Sequence, residues 1–373
     1  MERRPTALVL GAGIMGLSTA RALQREGFAV RVVDQAPPPN PLGSSVDHHR
    51  LIRHAYGAQA GYMRMVDAAY AAWDELWAEL GEVLHIPTGV LATDEASGDW
   101  FRDSRAALGA EGRDVTDLTG AEVAARFPYL SGDGIARAFW CPQGGVLLAE
   151  RIVAALARHV VAHGAMIETA RATRVDAARA ALVLEDGTVR SADVLVVAAG
   201  PWIPRLLPGI GQRVTASRQV IVRLGPPPEL AAAFAKAPMI IDLAGGFYMV
   251  PPVAGTPLKI GDHSFSLQGD PDDPDRSADP REAERILALA RRRIPGLERF
   301  APLGTATCFY DVEPDERFVV EKISRRAWVM SGFSGHGFKF GPVLGARLAE
   351  AIAKPELEAF LPAWAAGDEV VTP

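Results

Sequence analysis

Residues 7–16 read ALVLGAGIMG, an apolar run from Ala7 to Leu10 followed by glycines at 11, 13 and 16. A short buried strand leading directly into G-x-G-x-x-G is the pattern of a chain that turns from strand to helix around a dinucleotide. Gly11 permits the tight turn, Gly13 lets backbone approach a pyrophosphate, and Gly16 lets helix pack on strand. Ile14 and Met15 open the helix, whose N-terminus faces the phosphates. Gly27 ends that helix just after Arg25, and Ala29–Asp34 (AVRVVD) is a second buried strand. Asp34 lies 18 residues after Gly16, where a carboxylate can hydrogen-bond a ribose hydroxyl. The alternative is a glycine turn that only packs, with Asp34 a solvated strand end.

The rest of the chain is consistent with a nucleotide fold and excludes several other classes. Of 373 residues, 49% are apolar and 23% charged, the balance of a soluble globular protein large enough for two packed domains. A net charge of −6 gives no electrostatic reason to expect nucleic acid or an anionic membrane as partner. Two cysteines, Cys141 and Cys308, make no disulfide framework. With no secretory leader and no apolar run of the roughly 18 residues a membrane span needs, a cytoplasmic protein is expected.

Outward from the first βαβ unit, Pro37–Gly43 must be a surface excursion. Tyr62–Leu80 and Ala149–His163 have helical apolar spacing, and Thr119–Glu122 is a capping box. Arg171–Asp176, Ala181–Glu185 and Thr188–Ser191 read as small strands. Asp193–Ala198 (DVLVVA) reads as a strand inside a parallel sheet. Strands over Arg213–Leu224, Gly246–Val250, Leu258–Asp262 and Thr305–Tyr310, with a helix over Pro280–Ile294, suggest a second unit. A buried strand at Ala327–Met330 and a closing helix to about Ala353 return to the first. The expected fold is α/β. A Rossmann-type domain (1–85, 145–212 and 322–373) is interleaved with a second α+β domain on a mainly antiparallel sheet (86–144 and 213–321). The glycine triplet does not choose between NAD and FAD. Asp193–Gly200 with Pro201-Trp202, and the glycine-rich loop Gly332–Gly341, favour FAD, because a flavin needs a cradle for its ring as well as its phosphates.

Four segments then carry a resemblance: RLIRHAYG at 50–57, LKIGDH at 258–263, Cys308-Phe-Tyr310 with Pro314-Asp-Glu316, and GFSGHGFKF at 332–340. In this order they resemble the monomeric sarcosine oxidase and N-methyltryptophan oxidase group of the D-amino-acid-oxidase-like superfamily. The resemblance spans nearly the whole chain and implies an FAD-dependent oxidase, a cytoplasmic monomer acting on a secondary amino acid or related amine. Hydride would pass from substrate to flavin N5, the imine would hydrolyse, and O2 would be reduced to hydrogen peroxide. It further implies a thioether from Cys308 to the flavin 8-methyl group, Arg53 and Lys339 as a clamp on the substrate carboxylate, and Arg50 beside the flavin. Lys259 would assist O2 reduction, with Tyr248, His263 and Tyr310 lining the substrate cavity. Ser44, Ser45, Val175, Ala199, Gly200, Trp202, Gly335, His336, Gly337 and Lys339 would contribute to cofactor binding.

Each residue keeps a plainer reading. Cys308 could be a small buried hydrophobe, Arg53 the partner of a surface acid, and Lys259 an exposed strand-end lysine. The sequence also departs from the group. Where a Ser-His-Gly stretch is usual, residues 44–49 read SSVDHH, with Val46 at the usual histidine, which puts the efficiency of flavin attachment in doubt; His48 or His49 could take its place. Arg317 and Glu321 differ modestly. Three other readings remain: an FAD-dependent dehydrogenase with another electron acceptor, a non-redox flavin-binding protein and, most distant, an NAD-linked dehydrogenase.

Overall fold

The apolar strand that precedes the glycines, Thr6–Leu10, lies inside a six-stranded sheet. A computed structural model describes residues 3–96 and 98–368; the ends of the expected domain ranges, 1–2 and 369–373, lie outside the described residues. Thr6–Leu10 pairs in parallel with Ala29–Asp34 on one side and Val194–Val197 on the other. Met166–Thr169 and Ala327–Ser331 extend the parallel sheet, and Val319–Ser324 closes one edge antiparallel. The order reverses direction at Thr6–Leu10. Its carboxyl end is therefore the switch point at which such sheets bind ligands.

Helices Ile14–Arg25, Ala60–Leu80, Ala149–Ala162 and Gly341–Ala353 bury their apolar stripes in the largest core cluster. A separate cluster joins the opposite side of the strands to a three-stranded sheet of Ala172–Asp176, Ala181–Leu184 and Val189–Ser191. Gly16 shows why the helix sits where it does, since an added Cβ would lie 1.9 Å from the Gly11 carbonyl oxygen.

The second sheet has eight strands, in the order Ala301–Val312, Thr215–Gly225, Leu258–Asp262, Phe247–Val250, Met239–Asp242, Val90–Asp94, Arg137–Cys141 and Thr116–Leu118. Every pairing is antiparallel except Met239–Asp242 with Val90–Asp94. Helix Pro280–Arg291 packs its apolar face beneath this sheet. The mixed α/β architecture agrees with the sequence. The strands over 90–94, 116–118, 137–141 and 239–242 were not read from the sequence. No helix among the described residues is long and apolar enough to cross a membrane.

Candidate active site

Two adjoining cavities run from the glycine turn to the second sheet, sharing Arg50, Tyr310, Gly335 and Phe338 as common wall. The first is a groove at the carboxyl ends of the parallel strands. Gly11, Gly13, Ile14, Met15 and Asp34 border it, with Ser44 and Ser45 from the excursion and Ala199, Gly200 and Trp202 from the far strand end. Gly337 closes it from the last glycine-rich loop. Gly11 has φ +111°, and an added Cβ would meet the Ala198 carbonyl oxygen at 2.3 Å. The turn is thus held open by the lack of a side chain.

The local bonding explains the groove's shape. Asp34 Oδ2 accepts the Ala12 N–H at 2.7 Å and Oδ1 accepts Asn40 Nδ2 at 2.8 Å, so the strand-end acid braces the glycine turn. Burial raises its pKa and these donors oppose the rise. Helix Ile14–Arg25 has no side-chain cap of its own. Ser45 Oγ accepts the Ile14 N–H at 3.0 Å instead, satisfying one of the helix's orphan donors from another segment. Trp202 Nε1 donates to Asp272 at 2.7 Å.

Val175 borders neither cavity and packs against the apolar layer of the three-stranded sheet. Arg171, Ala172 and Thr173 border the groove instead. Val175 lies two residues beyond Thr173, roughly 7 Å further along the strand. Gly16 does not border the groove either, in keeping with its packing role.

The second cavity lies over the eight-stranded sheet. Arg50, Arg53, Tyr248, Lys259, His263, Cys308, Tyr310, His336 and Lys339 all border it, although they are scattered over nearly 300 positions of the chain. Arg50 organises its entrance from the loop before it. Its Nη1 donates to the His49 carbonyl at 2.6 Å, and its Nη2 to those of Ser44 and Val46, both at 2.6 Å. Lys339 is 3% exposed. Its Nζ donates to Tyr56 Oη at 2.7 Å and to the His336 carbonyl at 2.6 Å. Trp73 Nε1, from helix Ala60–Leu80, fixes the Lys339 backbone through its carbonyl at 2.7 Å. The Arg53 guanidinium lies over Tyr56 at 4.7 Å and Trp100 at 5.6 Å, and its buried Nη1 has no partner. Among the described residues neither cation is ion-paired to a carboxylate. Burial pushes Arg53 below its ordinary pKa, and burial together with the Arg53 charge pushes Lys339 well below. The pair is therefore a place where an anion would be strongly favoured.

Lys259, which borders the same cavity, is 4% exposed and donates to Asp47 Oδ2 at 2.7 Å and to the His49 carbonyl at 3.0 Å. Cys308 lies on strand Ala301–Val312, two residues before Tyr310, and borders the same cavity. Burial raises its thiol pKa while the Arg50, Lys259 and Arg276 charges oppose the rise. Tyr310 needs Gly335: with φ +79°, an added Cβ there would lie 2.4 Å from the ring.

His48 and His49 border neither cavity. His49 Nε2 lies 2.5 Å from Thr256 Oγ1, and His48 faces Glu150 at 3.6 Å. The residue of that stretch that does reach the second cavity is Asp47, which the sequence offered only as part of a departure. Tyr56 stood inside a quoted motif with no role attached. Trp100 and Arg223 gave no signal, because each is defined by what the fold brings opposite it. Asp311 also borders the groove. Its carboxylate accepts Ser331 Oγ at 3.1 Å, and burial pushes it up to about 6.

Comparison with known proteins agrees with this geometry. The family model described as FAD dependent oxidoreductase matches residues 6–351. Monomeric sarcosine oxidase from Bacillus sp. (strain NS-129) is 30% identical over 355 residues, covering 92% of this chain and 91% of that protein. N-methyl-L-tryptophan oxidase from Yersinia pestis (strain Pestoides F) is 29% identical over 350 residues, 91% of this chain and 92% of its own. Among solved structures, L-proline dehydrogenase from P. horikoshii shares the fold with a TM-score of 0.82 at 20% identity, covering 98% of both chains. Glycine oxidase from Bacillus cereus ATCC 14579 does so with 0.80 at 20%, covering 99% of this chain and 100% of that one. With a groove built for a dinucleotide and a family match over nearly its whole length, the chain belongs to the DAO family of FAD-dependent oxidoreductases.

Proposed function

We propose that the protein oxidises the CH–NH bond of a secondary amino acid, N-methyl or cyclic, with O2 as electron acceptor. The observation that carries this reading is the pair Arg53 and Lys339, an unpartnered guanidinium nitrogen and a buried lysine amine in the cavity next to the dinucleotide groove. A guanidinium offers two parallel donors and a lysine adds a point charge, which suits a substrate carboxylate. The names of the relatives, a sarcosine oxidase and an N-methyl-L-tryptophan oxidase, support both the N-methyl amino acid and the acceptor.

The groove residues Gly11, Gly13, Ile14, Met15 and Asp34 would hold the pyrophosphate and ribose of FAD, with Ser44, Ser45, Ala199, Gly200 and Trp202 around them. Segments 1–85, 145–212 and 322–373 would carry the cofactor, and segments 86–144 and 213–321 the substrate. Held there, FAD would supply the redox chemistry. The protein's task is orientation and charge. Arg53 and Lys339 fix the carboxylate, which points the amine and its C–H toward the shared wall of the two cavities. Tyr248, Tyr310 and the rim residue His263 bound the space left for the side chain. The amine binds neutral, so no side chain is needed as a base. Lys259 presents a fixed positive charge where O2 is reduced.

The test is anaerobic mixing of the FAD-loaded protein with sarcosine, N-methyl-L-tryptophan, proline and pipecolate. At least one should bleach the flavin, and under air that substrate should yield peroxide. Bleaching by none sinks the reading; bleaching without peroxide makes the protein a dehydrogenase.

Cys308 would tether the flavin through its 8-methyl group: it borders the second cavity beside Tyr310, on the wall next to the dinucleotide groove, although burial raises its thiol pKa. Acid denaturation should then leave the yellow colour with the polypeptide, while Cys308→Ser should release it to the supernatant. Release from the unaltered protein rules the tether out.

A further inference from the structure

Asp47 has a backbone φ of +95°, a left-handed value that a residue with a β-carbon adopts at a cost. Arg50 holds the loop in that shape by taking the carbonyls of Ser44, Val46 and His49, which bracket Asp47 in sequence. The result is a carboxylate that is 8% exposed and aimed into the second cavity. Three cations meet it there. Its Oδ2 accepts Lys259 Nζ at 2.7 Å and Arg50 Nη1 at 3.2 Å, and its Oδ1 accepts Arg223 Nη2 at 3.0 Å.

Arg223 and Lys259 stand directly opposite each other on the antiparallel strands Thr215–Gly225 and Leu258–Asp262. Like charges facing across a ladder repel, and burial of Lys259 removes the water that would screen them. Asp47 is the only acid that ion-pairs with any of the three cations among the described residues. The other titratable groups facing it are His49, Tyr248, Cys308 and Tyr310, and none of these is an acid of ordinary carboxylate strength.

We propose that Asp47 is a positioning residue of the redox site. It anchors the Lys259 ammonium and offsets part of the positive charge beside the cofactor, and so holds the reduction potential of bound FAD down. The proposal rests on the reading that the shared wall of the two cavities receives the flavin ring. Reduction adds negative charge to the cofactor, which nearby cations favour and a nearby carboxylate opposes. Removing the carboxylate leaves the cations unbalanced and should favour the reduced form.

The test uses full-length FAD-loaded protein with Asp47→Asn and Asp47→Gly; glycine accepts the positive φ without strain, so at least that backbone is undisturbed. Sulfite, which forms an anionic adduct with oxidised flavin, should bind about tenfold tighter to both variants. The midpoint potential should rise in step, by about 30 mV for a tenfold change in a two-electron couple. Neither measurement needs an amine substrate, so the outcome is independent of which amine, if any, is oxidised. Sulfite affinity within twofold of the unaltered protein, with a midpoint potential within about 9 mV of it, overturns the proposal. So does failure of both variants to fold or to take up FAD, which would make Asp47 a support for the loop and nothing more.

Discussion

Replacing Arg53 with methionine is expected to raise the KM for the amino acid substrate by about 100-fold, from two charge-assisted hydrogen bonds at roughly 1.5–3 kcal/mol each, partly offset by what Lys339 retains. The turnover number should fall much less, because the carboxylate is held alike before and during C–H cleavage. Methionine fills much of the same space between Tyr56 and Trp100 but brings no donor to replace the unpartnered Nη1. Arg53→Lys should fall between the two, since it restores the charge without the planar fork. Steady-state kinetics of each variant, with thermal unfolding to show that the fold survives, decide the matter. An unchanged KM in Arg53→Met removes the carboxylate clamp. The reading is specific to acids: an amine lacking the carboxylate should show no such loss between the two proteins.

How much of this site could be seen beforehand depends on what kind of information each residue carries. The glycines at 11, 13 and 16 are legible because their reason is local. A turn, a close backbone approach and a helix packing on a strand are all written within ten residues. Asp34 is legible as a position but not in its bonding: its carboxylate is occupied by the Ala12 N–H and Asn40, so it shapes the turn itself. Arg50, Arg53, Lys259, Cys308 and Lys339 were found only through resemblance. Nothing in the spacing of five residues on four distant segments says that they line one cavity. Val175 shows a related limit, since a motif fixes a strand but leaves open which end of it borders the groove: Arg171, Ala172 and Thr173 do, and Val175 packs behind.

Asp47 is the clearest case of information that is not local. In sequence it is one letter of an irregular stretch, SSVDHH, where the natural question was which histidine mattered. Its meaning comes from Arg223 and Lys259, more than 170 positions away, which the sheet register sets opposite each other. A single sequence shows charges; the pairing that makes three of them a cluster exists only once the strands are in register.

Lys259→Met should separate the two halves of the reaction. Anaerobic reduction of the flavin by substrate should be nearly unchanged, because Lys259 is bound to Asp47 and the His49 carbonyl and would have no part in holding the carboxylate. Reoxidation by O2 should slow by about 100- to 1,000-fold, the usual cost of removing one fixed, preorganised donor from the place where negative charge develops. The first electron delivered to O2 would create an anion in a site where little water can reach it, and Lys259 there is 4% exposed. Burial depresses its pKa, and the Asp47 carboxylate opposes that fall and favours the charged form. Asp47 itself, which burial alone would push up, is held well below the ordinary carboxylate range by Lys259 and Arg50, so the pair stays ionised. Stopped-flow mixing of the reduced variant with oxygenated buffer measures the step directly. A reoxidation rate within threefold of the unaltered protein would remove Lys259 from O2 chemistry. A parallel loss in the anaerobic half would instead mean that the substitution had disturbed the cavity as a whole.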